Sequence, residues 1–428
     1  MKHIIDTLWE RGFIEQMTDD EGLRTTLAQP QKVYIGFDPT SDSLHIGSLV
    51  QIMVLSQLAR HGHHPVILLG GATGMIGDPS GKSEERNLLT AEQIEHNVAG
   101  IAKQLRGIVA RASEREESDA VVVNNIDWTE NLSVIDWLRD IGKLFTVNYM
   151  VAKESVRRRF EDRDQGISYT EFSYMLVQAH DFLQLFEREG CLVQMGGSDQ
   201  WGNITAGIEL IRRKLGEQAY GLTTPLVTNA AGQKFGKTEA GAIYLDPDRT
   251  SVWDFYQYFV RVDDRDVVPY MKKFTFLEMD EIASYEGEVR ERPEERAAQK
   301  RLAWEVTALI HGPSEARRME KGAEALYAGR LEDLDRELIR AAFADSVGGT
   351  VSRARLQKGI NAVDLFDETG LVKSKGEARR MIRQGALYVN NQRLEEGDDL
   401  LSETHVLPSG VVVLRRGKKE YRLLEVEA

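Results

Sequence analysis

Two stretches of the 428-residue chain carry side chains of the kind that handle phosphate. The first, Gly36-Phe-Asp-Pro-Thr-Ser-Asp-Ser-Leu-His45-Ile-Gly-Ser48, joins an apolar run at 32–37 to a segment, 44–60, whose apolar residues recur with a helical period. His45 and Gly47 therefore belong to a helix's opening turn, where free backbone N–H groups and the helix dipole favour an anion. Gly47 lets a bulky ligand approach, and Thr40 and His45 can donate hydrogen bonds to phosphoryl oxygens. The second, Lys234-Phe-Gly-Lys237-Thr238, lies in a Gly- and Thr-rich stretch, 229–241, that reads as a mobile loop. Two lysines three apart around a glycine can fold over a polyphosphate as charge moves toward its leaving group. Taken singly, the histidine reads as part of a capped helix and the lysines as solvated surface. Taken together, they point to nucleotide chemistry.

A third constellation is a polar stripe. Tyr174, Gln178 and Asp181, at i, i+4 and i+7, share one face of a helix read over 171–188, amid Met175, Leu176, Val177, Phe182 and Leu183. Buried polar groups need partners, so the stripe bonds to itself, to a neighbouring strand or to a polar ligand. Gly197, Asp199 and Gln200 follow an apolar run at 192–196; the glycine permits close approach and a carboxylate can accept from ribose hydroxyls. The run from Ile76 to Ser83 approaches a P-loop. That motif needs glycine where Ile76 stands, and Asp78 would bring a carboxylate into the phosphate cradle.

The elements that position these residues alternate. Apolar runs at 32–37, 65–70, 120–124 and 192–196 read as buried strands, with helical patterns at 44–60, 171–188 and 201–215. Continuous apolar strands alternating with helices predict an α/β fold, a Rossmann-like parallel sheet whose ligand sits at the carboxyl ends of its strands. A length of 428 residues exceeds what one core usually holds, so further domains are expected. The chain has 54 Lys and Arg against 68 Asp and Glu, a balance that excludes nonspecific coating of nucleic acid. From residue 351 onward the balance is 14 against 12, so a local basic surface is compatible with it. The single cysteine, Cys191, can form neither an internal disulfide nor a thiolate cluster, which suits a reducing compartment. No uncharged stretch approaches the roughly 20 apolar residues of a membrane span, and a cytoplasmic location is expected.

The two phosphate-handling stretches resemble the HIGH and KMSKS signatures of class I aminoacyl-tRNA synthetases. The runs from Gly70 to Lys82 and from Gly196 to Asn203, with the Tyr174–Asp181 helix, are similar to bacterial tyrosyl-tRNA synthetases, and the likeness extends through essentially the whole chain. Ser48 departs from it, standing where the family usually has His or Asn. The resemblance implies that Asp181 and Tyr34 take the phenolic hydroxyl of L-tyrosine, and that Asp78, Tyr174 and Gln178 take its ammonium group. Phenylalanine would leave Asp181 and Tyr34 unpaired. It implies further that Asp199 holds the ATP ribose, with Gly36, Asp38, Gly47, Gly197 and Gln200 along the adenylate. Thr40, His45, Lys82, Arg86, Lys234, Lys237 and Thr238 would then stabilise the moving charge.

Along the chain the α/β pattern covers 1–220, the lysine-bearing loop and connection 221–250, a stretch whose composition turns helical, charged and aromatic 251–329 and a linker 330–355; the resemblance makes the first the catalytic and the third an anticodon-binding domain. A small α+β module at 356–428 resembles the RNA-binding module named after ribosomal small-subunit protein four, with Lys375, Arg379, Arg380 and Arg383 facing RNA. ATP enters as a substrate with Mg2+, without a protein-bound metal or organic cofactor; tRNA is the other partner, and a homodimer without membrane association is expected. Two competitors share part of this pattern: a tryptophanyl-tRNA synthetase, and a synthetase-derived RNA-binding protein without activity. The latter predicts damaged phosphate motifs, and only Ser48 deviates.

Overall fold

The computed structural model describes all residues except 1, 79, 81–88, 114–119, 154–155, 158–166, 234, 239–240, 398–399, 418–419 and 428, and omits the side chains at 237, 238 and 345. The chain forms two compact units, one of residues 1–250 with 261–310, the other of 251–260 with 311–428.

The first unit is built on a six-stranded sheet. Its strands are β1 (Gln16–Met17), β2 (Lys32–Phe37), β3 (His64–Leu69), β4 (Val121–Asn124), β5 (Val193–Gly197) and β6 (Tyr220–Thr224), in the spatial order β1-β6-β5-β2-β3-β4. All pairs are parallel except β1 with β6. The continuous apolar runs Val33-Tyr-Ile and Pro65-Val-Ile-Leu-Leu form strands because helices cover both faces. The chain leaves β2 toward β3 and β4 on one side, while β5 and β6 fill the other. That reversal parts the carboxyl ends of β2 and β5 and opens a crevice between them.

The helices used below are α1 (Ile4–Glu10), α2 (Leu49–Arg60), α3 (Ala91–Ala112), α4 (Val134–Asp140), α5 (Val147–Val151), α6 (Tyr169–Glu189), α7 (Trp201–Leu215) and α8 (Asp264–Phe274). The sequence reading of 44–60 as one helix is corrected here. A single 3-10 turn, Ile46–Ser48, comes first, because the ring of His45 accepts the Gly47 N–H, and the regular helix begins only at Leu49. α6 begins on a capping box in which Ser168 and Glu171 satisfy each other's backbone N–H groups, and it stops at Gly190 in the left-handed region. Its apolar face and that of α7 bury Met175, Leu176, Phe182, Leu183, Ala206 and Leu210 against the sheet. Cys191 lies fully buried beside β2, its thiol pushed up to about 12 by burial.

The division expected after residue 250 is not what the structure shows. Residues 261–310 belong to the first unit. The buried guanidinium of Arg11 donates to the carbonyls of Lys272, Thr275 and Leu277, capping the carboxyl end of α8 and the residues just after it. The ammonium of Lys273 donates to the carbonyl of Gly12, and the guanidinium of Arg60 lies 4.5 Å from the ring centre of Phe276. These long-range caps tie the segment to the N-terminal residues.

The second unit takes the helix Val252–Val260, with Trp253, Phe255, Tyr256 and Phe259 buried, into one body with everything after residue 310. Residues 330–355, expected as a linker, are folded: they hold α9 (Arg336–Ala342) and β9 (Val347–Ser352). β9 pairs in parallel with the last strand of a five-stranded sheet, and Leu331, Leu334, Ile339 and Phe343 join its core. That sheet also contains β10 (Leu387–Val389), β11 (Gln392–Arg393), β12 (Val411–Arg416) and β13 (Glu420–Glu427), in the order β11-β10-β12-β13-β9. α10 (Lys375–Arg383) packs Ala378 and Ile382 into the same module.

Candidate active site

The crevice between β2 and β5 is a cleft of about 550 Å3. Thirteen of the residues expected from sequence line it: Tyr34, Gly36, Asp38, Thr40, His45, Gly47, Asp78, Tyr174, Gln178, Asp181, Gly197, Asp199 and Gln200. Their positions follow from the topology. Tyr34 and Gly36 are on β2 and run into Asp38 and Thr40 beyond its carboxyl end; Gly197 ends β5, with Asp199 and Gln200 in the turn that opens α7. Tyr174, Gln178 and Asp181 descend one face of α6 toward the sheet.

At the floor, Asp181 is completely buried. One carboxylate oxygen accepts from Nε1 of Trp128 at 2.8 Å and the other from Nδ2 of Asn125 at 3.0 Å. Burial raises its pKa to about 7, against the two donors, which hold it down. The hydroxyl of Tyr34, also completely buried, has no hydrogen-bond partner among the described residues, and its pKa is driven well above the usual phenol value by burial and by the charge of Asp181. A buried donor beside a buried acceptor, with lone pairs left on the carboxylate, suits a ligand that brings a hydroxyl. The amide oxygen of Gln194, level with Tyr34 on β5, likewise lacks a partner among the described residues.

Higher in the cleft the polar groups are mutually bonded. The Tyr174 hydroxyl donates to Asp38 at 3.0 Å, and the other oxygen of Asp38 accepts from Thr73 at 2.8 Å. Asp78 accepts from the Gln200 amide at 2.7 Å and from the Ser80 N–H at 2.9 Å. Gln178 accepts from Asn203 at 2.9 Å. With Asp38, Asp78, Asp181 and Asp199 along one cavity, the site favours a cation among its ligand's groups.

The mouth is different. His45 bridges to Tyr244 by backbone, and its ring Nδ1 accepts from the Gly47 N–H at 3.0 Å, which leaves the proton on Nε2 as a donor to the cleft. Desolvation by the cleft wall lowers its pKa, so the ring is neutral near pH 7. A Cβ on Gly47 would stand 2.8 Å from that ring nitrogen, so the residue type is required by the turn. Ser48 also lines the cleft, and its side chain makes no cap to α2.

Lys82, Arg86 and Lys234 lie outside the described residues. The backbone of Lys237 and Thr238 forms β7, paired with β8 (Gly241–Ala242). Lys375, Arg379, Arg380 and Arg383 lie on α10, in the second unit. Lys375 pairs with Asp364 at 2.8 Å and Arg383 with Glu396 at 3.9 Å, whereas Arg379 and Arg380 form no ion pair among the described residues. The sequence reading missed Asn125, Trp128, Thr73, Asn203 and Gln194. Thr73 and Asn203 stand inside the runs singled out above without being assigned a role, and Gln194 offered the signal of a polar residue inside an apolar strand. Among the described residues no group of three His, Cys, Asp or Glu side chains could hold a metal ion, and no helix is long and apolar enough to cross a membrane.

Comparison with known proteins places the chain in a family. Residues 26–328 match the family described as class I tRNA synthetases for tryptophan and tyrosine. Residues 341–424 match the SYY-like C-terminal domain of tyrosine–tRNA ligases. The chain is 50% identical to the tyrosine–tRNA ligase of Bacillus caldotenax over 416 residues, 97% of each chain. It is 48% identical to tyrosine–tRNA ligase 2 of Enterococcus faecalis over 421 residues, 98% of each. Among solved structures, a C-terminally truncated mitochondrial tyrosyl-tRNA synthetase of Aspergillus nidulans aligns with a TM-score of 0.68 and 33% identity, covering 76% of this chain and 94% of that one. A tryptophanyl-tRNA synthetase of Encephalitozoon cuniculi, at 14% identity and a TM-score of 0.51, shares the fold alone. With a family match over residues 26–328 and relatives at about half identity along nearly its whole length, the chain belongs to the tyrosyl-tRNA synthetases of class I.

Proposed function

We propose that this tyrosine–tRNA ligase works by positioning and electrostatics, with the cleft residues in the following roles. The observation that carries the reading is the buried pair at the floor, a Tyr34 hydroxyl without a partner among the described residues, beside a carboxylate that Asn125 and Trp128 keep partly ionised. L-Tyrosine places its phenolic hydroxyl there and its ammonium group among Asp78, Tyr174 and Gln178. ATP lies across the mouth, its ribose at Asp199, its adenylate portion along Gly36, Asp38, Gly47, Gly197 and Gln200, and its phosphates at Thr40 and the Nε2–H of His45. The tyrosine carboxylate attacks the α-phosphate in line and the bond to the β-phosphate breaks. Tyrosyl-adenylate and pyrophosphate result, and a terminal ribose hydroxyl of tRNA then takes the tyrosyl group and releases AMP. No side chain becomes covalently attached. Lys82, Arg86, Lys234, Lys237 and Thr238 neutralise the departing pyrophosphate, and Mg2+ enters with ATP, held by its phosphates. Lys375, Arg379, Arg380 and Arg383 take RNA phosphates.

ATP–pyrophosphate exchange with each of the twenty amino acids tests the reading. Tyrosine alone should support exchange, and His45→Ala and Asp181→Ala should each lower it at least tenfold, the scale of a lost transition-state or buried polar contact. Exchange driven by tryptophan, or both variants at the parent rate, would refute it.

The working form is a cytoplasmic homodimer. Supporting this, α4 has no buried residue although Val134, Ile135 and Leu138 are 72%, 69% and 50% exposed, and Val147 at the start of the nearby α5 is exposed as well. A row of large apolar groups left in water marks an association surface. Sedimentation should show a dimer for the parent and a monomer for Ile135→Glu; a parent that is monomeric at working concentration would overturn this part.

A further inference from the structure

The loop that carries the phosphate lysines is seated by one aromatic ring. Phe235 stands between Lys234 and Lys237 in a polar, glycine-rich stretch, yet it is only 7% exposed. Its ring stacks on Phe274, with centroids 4.8 Å apart and planes 17° from parallel, and meets Tyr270 edge-on at 4.9 Å. Tyr270 and Phe274 are one turn apart on α8 and both buried. The caps that Arg11 and Lys273 make to the ends of this region fix the slot to the first unit.

On its other side the same segment presses against the phosphate turn. Gly236 has φ +86°, and a Cβ there would lie 3.0 Å from the backbone nitrogen of Gly47 and 2.9 Å from Cγ1 of Ile46. The approach is therefore backbone on backbone and admits only glycine. The loop's base is held separately. The Ile46 N–H donates to the carbonyl of Ile243 at 2.9 Å, the Leu245 N–H donates to that of Leu44 at 2.8 Å, and Arg249 lies over the Tyr244 ring while pairing with Asp42 at 2.6 Å. Ahead of the ring, Asn229 closes a turn with Gln233, and the Phe235 N–H donates to the carbonyl of Val227 at 3.0 Å. The base is bound by a backbone bridge, and among the described residues the ring of Phe235 is what packs the segment beyond it onto α8.

We infer that Phe235 is a positioning residue for adenylate formation: by packing on Tyr270 and Phe274 it seats the lysine-bearing strand against the Ile46–Gly47 turn. This rests on the assignment of Lys234 and Lys237 to pyrophosphate. Because the seat matters only while pyrophosphate departs, its loss affects the first chemical step and spares both tyrosine binding and transfer to tRNA.

The test uses the full chain with Phe235→Leu, which keeps apolar volume and removes the stacked ring. The maximal rate of tyrosine-dependent exchange should fall about tenfold, with the tyrosine KM, the thermal midpoint and the rate of transfer from preformed tyrosyl-adenylate unchanged. Phe235→Tyr should restore most of the rate. Phe274→Leu should reproduce the loss, and the double variant should be no slower than either single one, the mark of a shared contact. An unchanged exchange rate in Phe235→Leu, an equal slowing of transfer, a lowered thermal midpoint or additive losses would each overturn the inference. A parent without tyrosine-dependent exchange would remove the functional reading itself, whereas an active parent indifferent to Phe235→Leu removes this inference alone.

Discussion

Asp181 is held at the edge of ionisation. Its pKa near 7, raised by burial, means that the folded protein binds a proton the unfolded chain has already lost between about pH 4 and 7. The carboxylate therefore weakens the fold as pH rises through 7, a cost the site accepts for an acceptor at its floor. A phenolic hydroxyl donating to it favours the ionised form, so tyrosine binding should release up to one proton near pH 6.5 and none near pH 8.5. Tyrosine affinity should accordingly fall as pH drops below about 7; calorimetry in buffers of different ionisation enthalpy measures the release. Trp128→Phe removes one donor, so the release should persist to higher pH; an unmoved profile would show that Trp128 does not hold the charge. The carboxylate itself was legible in the sequence through its place in the stripe with Tyr174 and Gln178. Its two donors were not, because they stand 56 and 53 residues away in a segment of unremarkable pattern, joined to Asp181 only by the crossing of β4 and α6.

At the scale of elements, the strands were the most readable part, since β2, β3 and β5 are buried on both faces and their apolar runs have no other use. The start of α2 was misread because a 3-10 turn continues the same apolar spacing, and only the His45 ring bonded to Gly47 separates the two. The loop at 229–241 read as mobile, and its composition hid the ring of Phe235. α10 opens on Ser374, which accepts the Glu377 N–H, but the sequence could not rank its cations. The structure does: Lys375 is engaged with Asp364, whereas Arg379 and Arg380 form no ion pair among the described residues. Replacing either of the latter by alanine should weaken tRNA binding and reduce the slope of log affinity against log salt by about one, while tyrosine-dependent exchange stays at the parent rate. Lys375→Ala should have the smaller effect. Filter binding across a salt series decides between them, and equal slopes for parent and Arg379→Ala would count against phosphate contact.

For the whole molecule, residues near the start of the chain hold residues near 270. Composition suggested a domain change at 251, but the boundary falls elsewhere because a guanidinium caps carbonyls some 260 positions away. Such a bond leaves no periodic trace in sequence. Arg11→Ala would leave two buried carbonyls and a partly buried one without that donor and should destabilise the first unit by about 3 kcal/mol. A lower urea midpoint would register it, and because α8 carries the slot for Phe235, exchange should slow even where the fold persists. A variant with parent stability would show that solvent replaces the guanidinium without loss.

The solitary thiol offers a different opportunity. Cys191 is sealed under β2 and stays protonated far above working pH, so maleimides and other alkylating dyes have nothing to react with on the folded chain. A cysteine introduced at the exposed position Ala231, in the lysine-bearing loop, would thus be the sole labelled site with the native Cys191 left in place. A fluorophore there could follow the loop in real time through a single turnover.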